Sequence, residues 1–196
     1  MNKMLIPMLC AGLAVSVQAR QTAIRNVLFI LMDDQSAHLS FLGTPGISTP
    51  NLDRLAQRGA YFRNAFASCA SCAPSRGSML TGMWPHSNGH WRNTHTPTLR
   101  DPDIEFTRQG SKLDRVRIDE SIPTLVELLK KEGFLTAITH KFHLSPPWKY
   151  PFEVRNPVQH DPKQFKTALS GVIRQAKDRP FFILANIEPP HRSFRT

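Results

Sequence analysis

Beyond its first twenty residues the chain has no apolar run that approaches the length of a membrane span, so no later helical anchor is expected. Low-complexity tracts are also missing. With 40% of its 196 residues hydrophobic, the chain has enough apolar content for one globular domain with a sizeable core, and disorder is not the default. Acid is scarce: 15 Asp and Glu stand against 25 Lys and Arg, for a formal charge of +10. A surface of that sign favours anionic partners, yet no recognisable nucleic-acid motif accompanies it. Cysteine is scarcer still, with Cys10, Cys69 and Cys72 the full set.

The apolar run that does exist lies at the start. Met1-Asn2-Lys3 precedes a stretch from Met4 to Val17, and Ser16-Val17-Gln18-Ala19 puts small residues where a signal peptidase cuts. Residues 1–19 are therefore read as a signal peptide. The mature chain is expected to start near Arg20, to have no membrane span and to be exported, either periplasmic or secreted. Pro7-Met8-Leu9 before Cys10 is a poor lipoprotein signal. The leader carries one lysine and no acid, so its removal lowers the net charge by one. An exported protein rarely meets nucleic acid, whereas a sulfated polysaccharide fits both charge and compartment. Basic residues that merely solvate the surface fit the charge equally well.

Asn26 to Met32 (NVLFILM) is rich in branched residues, as expected of a strand covered on both faces, and it ends in Asp33-Asp34. Thr49-Pro50-Asn51 offers a helix cap followed by proline, with Leu52, Leu55 and Ala56 on one face and Gly59 as the stop. A second helix is expected from Pro74 to Gly82, and residues 84–118 read as a long loop over a site. Regular alternation then resumes. A helix from about Ile122 to Glu132 is closed by Gly133, a strand follows from Phe134 to Thr139, and a proline-rich crossing runs through Pro157. Phe165, Ala168, Leu169, Val172, Ile173 and Ala176 fall at helical spacing before a strand from Phe181 to Ile187. This order implies an α/β fold, with a mostly parallel sheet and helices on both faces. Ligands of such sheets gather beyond the carboxyl ends of the strands. Asp33-Asp34, Lys141-Phe142-His143 and His191 all fall there.

The segment richest in chemistry is Cys72-Ala73-Pro74-Ser75-Arg76, which leads through Gly77-Ser78-Met79-Leu80 into Thr81-Gly82. Placed just before a helix, Cys72 would face unpaired backbone N–H groups and the positive end of the dipole, a seat for an anion. Arg76, four residues on, shares its face and would neutralise charge on a bound oxyanion. Cys69 and Cys72 also form a Cys-x-x-Cys, which in an exported protein admits a disulfide or a redox pair. Asp33 and Asp34, held about 4 Å apart at an effective dielectric near 20, would repel by about 4 kcal/mol, so their convergence calls for a cation. Their hard oxygens suggest calcium or magnesium. Lys141 and His143, two apart, would project to one side of an extended chain. His86, His90 and His95 show no spacing that defines a metal site or a catalytic pair.

The run from Cys72 to Gly82 resembles the signature of the type I sulfatases, whose cysteine is oxidised after translation to formylglycine. From Arg25 to Thr196 the chain is similar to that family, and it looks most like its sulfamidase branch. The closer likeness is carried by Trp148-Lys149-Tyr150-Pro151-Phe152-Glu153, Asp178-Arg179-Pro180-Phe181-Phe182 and Glu188-Pro189-Pro190-His191-Arg192. The resemblance implies an alkaline-phosphatase-like fold and hydrolysis of sulfate ester or N-sulfate groups on a sulfated sugar or glycosaminoglycan. It also implies calcium held by Asp33, Asp34 and modified Cys72, and a formylglycine-generating or equivalent maturation enzyme as a partner. By position, Arg76 and Lys141 would steady the aldehyde hydrate and sulfate, His143 would assist release from residue 72, and His191 would protonate the leaving group.

Two departures stand beside this. Ester sulfatases usually show Gly-Lys-x-His-Leu-Gly, where this chain has His140-Lys141-Phe142-His143-Leu144-Ser145. The family also completes its calcium site with an Asp-Asn or similar pair far downstream, and no such motif occurs by Thr196. Residues 20–196 are thus read as the N-terminal part of a catalytic domain, with an incomplete sheet. Two other readings stay open: a phosphoester or phosphonate hydrolase of related build, and a non-catalytic module that binds acidic polysaccharide.

Overall fold

The computed structural model describes residues 26–94, 116–158 and 161–191. Among these residues four strands form one sheet: β1 (Asn26–Met32), β2 (Leu135–Thr139), β3 (Val154–Asn156) and β4 (Phe181–Ile187). Their order is β1-β4-β2-β3 and every pairing is parallel, as the alternation of strands and helices predicts. Side chains of β4 alternate between two cores. Phe182 and Leu184 join Leu80, Val126, Phe142 and Tyr150 on one face, while Ile183 and Ala185 meet Val172 and Ala176 on the other.

Among the described residues five α-helices accompany the sheet: α1 (Pro50–Arg58), α2 (Cys72–Thr81), α3 (Pro85–Asn88), α4 (Leu125–Lys131) and α5 (Pro162–Ala176). Leu80 of α2 and Val126 of α4 supply the first core, and α5 supplies the second. Helices on both faces were expected and are found.

The structure corrects several expectations. Among the described residues, strand β1 lies at the edge of the sheet with one face open: Leu28 and Ile30 are 43% and 47% exposed, because α5 lies over β2 and β4. Helix α1 buries none of its residues, and Leu55 is 63% exposed. Thr49 does not cap it through its side chain; its hydroxyl donates to Asp53 Oδ1 at 2.9 Å, in a polar knot with Ser40. Gly59 ends that helix in extended backbone, with no left-handed turn. Helix α2 starts at Cys72, two residues before Pro74, since Ser71 takes the extended cap conformation and its carbonyl accepts from Ser75 N at 3.1 Å.

The region read as one loop over 84–118 contains α3, and its residues 95–115 lie outside the described residues. Helix α4 begins at Leu125 and not at Ile122, because a residue before proline is biased away from helix and Thr124 makes a capping box with Glu127. The crossing before Pro157 contains β3, a strand too short to show a period.

Candidate active site

The loops after β1, β2 and β4 converge with the N-terminus of α2, and Asp33 lies at their meeting point. Its N–H donates to Ile187 O at 2.9 Å, extending the β1–β4 ladder by one residue and fixing where the carboxylate sits. One carboxylate oxygen, Oδ2, takes Lys141 Nζ and lies 3.8 Å from Arg76 NH2. The other, Oδ1, faces Cys72 Sγ at 3.8 Å. Burial pushes the Asp33 carboxyl up, but the hydrogen bond and charge of Lys141, with Arg76 and His191 behind it, hold it below its ordinary value.

Asp34 parts from Asp33 immediately. Its φ of 57° turns it toward solvent, where it is exposed, and its Oδ2 lies 4.0 Å from His191 Nε2. The two carboxylates thus sit in different surroundings, Asp33 buried and Asp34 exposed. Asp33, Cys72 and His191 are brought together: each offers a ligand atom, and these atoms lie within 4.8 Å of one another.

Cys72 opens α2, with the first-turn N–H groups beside it. One of these is occupied, since Ala73 N donates to Asn93 Oδ1 at 3.0 Å, so the helix end offers fewer open donors than expected. Cys69 and Cys72 are both free thiols, and no disulfide joins them. Arg76, one turn on, is 3% exposed and donates to Asn186 Oδ1 at 2.7 Å. Asn186 in turn donates through Nδ2 to the carbonyls of Thr139 and Lys141, at 2.8 and 3.0 Å. One amide thus ties the guanidinium of α2 to the turn that carries Lys141.

That turn is not extended. His140 and His143 both have positive φ, and Phe142 between them is buried in the core. Lys141 and His143 reach the same neighbourhood through a tight reversal around a buried phenyl ring, not by alternating along a strand. His143 donates from Nε2 to Thr94 O at 3.0 Å, while its buried Nδ1 has no partner among the described residues. Burial first, and the Lys141 charge second, pull its imidazolium below the ordinary histidine range. Neutral His143 therefore presents Nδ1 as an acceptor. His191 follows β4, and its N–H donates to Glu188 O at 2.8 Å.

The weaker histidine candidates separate. His90 is fully buried, Nδ1 lying 3.1 Å from where a Cβ on Gly77 would sit, so it packs behind α2 and Gly77 permits the approach. His86 is exposed on α3, and His95 lies outside the described residues. Asn186, Asn93 and Thr94 were not anticipated. Only Asn186 left a usable sign, as the one amide in the apolar run FFILANI. A cavity of about 350 Å³ lies on the α5 side of the sheet, lined by Phe165, Leu169 and Ile173 among others. It shares Asn186 with the cluster but none of Asp33, Cys72 or Lys141. Among the described residues no helix is long and apolar enough to cross a membrane.

Known proteins resemble the chain. The chain is 33% identical over 195 residues to human N-sulphoglucosamine sulphohydrolase, covering 95% of this chain and 36% of that protein. It is 37% identical over 126 residues to human N-acetylgalactosamine-6-sulfatase, covering 61% of this chain and 22% of the relative. The chain thus spans about a third or less of the length of these relatives. A solved 2-O GAG sulfatase superposes with a TM-score of 0.58 at 24% identity, over 85% of this chain and 35% of its own, which supports the fold. The sulfatase family profile matches residues 25–195, and the chain belongs to that family.

Proposed function

We propose that residues 20–196 are the N-terminal part of an exported sulfatase, preceded by a signal peptide over 1–19, that acts on a sulfated sugar or glycosaminoglycan. The observation that carries this reading is the convergence on Asp33 of Cys72, Arg76 and Lys141, in a chain whose relatives include sulfatases named for glucosamine and galactosamine substrates. Conversion of Cys72 to formylglycine by a maturation enzyme would supply a hydrated aldehyde, which can take up a sulfuryl group and release it by re-forming its carbonyl, chemistry no encoded side chain offers. Calcium, with magnesium less suited, would be held by Asp33, Asp34 and oxygens at residue 72, a donor set that turns fully hard once sulfur is replaced.

The chain's own residues do the rest. Buried Arg76 and half-buried Lys141 place fixed positive charge beside residue 72, where it opposes charge that gathers on sulfate oxygens. His191 would give its proton to the departing nitrogen or oxygen of the sugar, and His143, through Nδ1, would accept one as sulfate is released.

The decisive measurement is mass analysis of the tryptic peptide Asn64 to Arg76 from a host with a maturation system, alongside sulfate release. Cys72→Ala should abolish turnover, and Arg76→Ala or Lys141→Ala should lower kcat by about 10²–10³. Material that desulfates sugars at full rate with an intact thiol at 72 would remove the proposal. Faster cleavage of aryl phosphates than of aryl sulfates would favour a phosphohydrolase. Heparin binding without any Cys72-dependent turnover would favour a binding module.

A further inference from the structure

We propose that, before residue 72 is modified, Asp33, Cys72 and His191 form a binding site for a thiophilic divalent cation of the zinc class. Three donors of different chemistry, a carboxylate oxygen, a thiol sulfur and an imidazole nitrogen, lie within 4.8 Å of one another. They come from three separate segments: the end of β1, the start of α2 and the loop after β4. Three protein ligands with a fourth position left open is the arrangement of reactive zinc sites, and mixed sulfur and nitrogen donors select zinc over calcium or magnesium.

Nearby positive charge argues against a cation, but its placement does not. Lys141 and Arg76 both engage Oδ2 of Asp33, whereas Oδ1 is the oxygen turned toward Cys72 Sγ. The carboxylate thus offers its cations one edge and the sulfur the other. On binding, the S–H bond is exchanged for an S–metal bond and one proton leaves to solvent. Asp34, 4.0 Å from His191, adds negative charge on the outer side.

The consequence concerns maturation. A thiolate bound to zinc is withdrawn from the enzyme that would oxidise it, and oxidation, once done, removes the only soft ligand. The thiol form and the aldehyde form would therefore prefer different metals. The site is a property of the unmodified chain and does not depend on sulfatase activity.

The test uses the full chain made in a host without a maturation system, kept reduced, and titrated with Co2+ and then Zn2+. One equivalent of Co2+ should give a near-ultraviolet thiolate-to-cobalt band with strong visible bands of tetrahedral type, and Zn2+ should bleach both. Cys72→Ser should remove the near-ultraviolet band. Asp33→Asn and His191→Ala should each weaken Zn2+ binding by at least about tenfold, the lower end of what even outer-shell changes cost. Cys69→Ser should change nothing. If Cys69→Ser abolishes the band, the metal sits on the Cys-x-x-Cys pair and the proposal fails; it also fails if no band forms at one equivalent, or if His191→Ala binds as the parent does. Should His191→Ala lose its far-ultraviolet circular dichroism, His191→Gln reads the same ligand. Failure here leaves the peptide mass at residue 72 untouched, so the two readings are separable.

Discussion

At the scale of single residues, His143 shows how surroundings set chemistry. Burial and the Lys141 charge disfavour its imidazolium, and Nε2 is committed to Thr94 O. A histidine whose folded pKa is depressed stabilises the fold fully above its unfolded value, about 6.5, and loses that contribution as pH falls through the folded one. The thermal midpoint should therefore fall as pH drops below about 6.5, and His143→Gln should flatten that part of the profile. Identical slopes for the two proteins would contradict this. Cys72, Arg76, Lys141, His143 and His191 were all legible from their motif or their place after a strand, and the structure groups them around Asp33. The left-handed φ of Asp34 was not legible, because adjacency in sequence says nothing about it. Thr94 was missed because it acts through a carbonyl, which every residue has.

At the scale of elements, sequence reading succeeded where long apolar runs dictate the period and failed where polar side chains set the boundary. Strand β4 matches its expected span from Phe181 to Ile187, whereas α4 is shortened by a proline and a cap. Thr124 holds that cap tightly. It is fully buried, accepts from Glu127 N at 3.2 Å and donates to Lys149 O at 2.7 Å, while Lys149 pairs with Glu127 at 2.8 Å. Thr124→Ala loses a cap worth about 1 kcal/mol and strands a carbonyl at about 1–3 kcal/mol. Urea denaturation should show a loss of about 2–4 kcal/mol from these two sources. Thr49→Ala, at the start of exposed α1, should cost less than about 1 kcal/mol, within the range of ordinary surface changes and weak caps. Equal losses at the two sites would overturn the comparison.

At the scale of the whole molecule, a parallel α/β class could be read from the alternation of elements, but the order β1-β4-β2-β3 could not, because it depends on which distant segments meet. Strand β1 pairs only with β4 among the described strands, and β4 also pairs with β2. A chain ended after Pro180 would lack that bridge and should lose its cooperative thermal transition; a sharp melt would show that β1 is held by something else. The pairing of Asn26 with Phe181 spans 155 residues. At synthesis rates of about 5–20 residues per second, the NVLFILM segment waits roughly 8–30 s for its partner to be made. Through that interval a sticky, extended stretch is exposed on the nascent chain, a natural target for holding chaperones. The chain cannot commit to its fold until residue 187 has been polymerised, and until then it can still be threaded through a narrow pore.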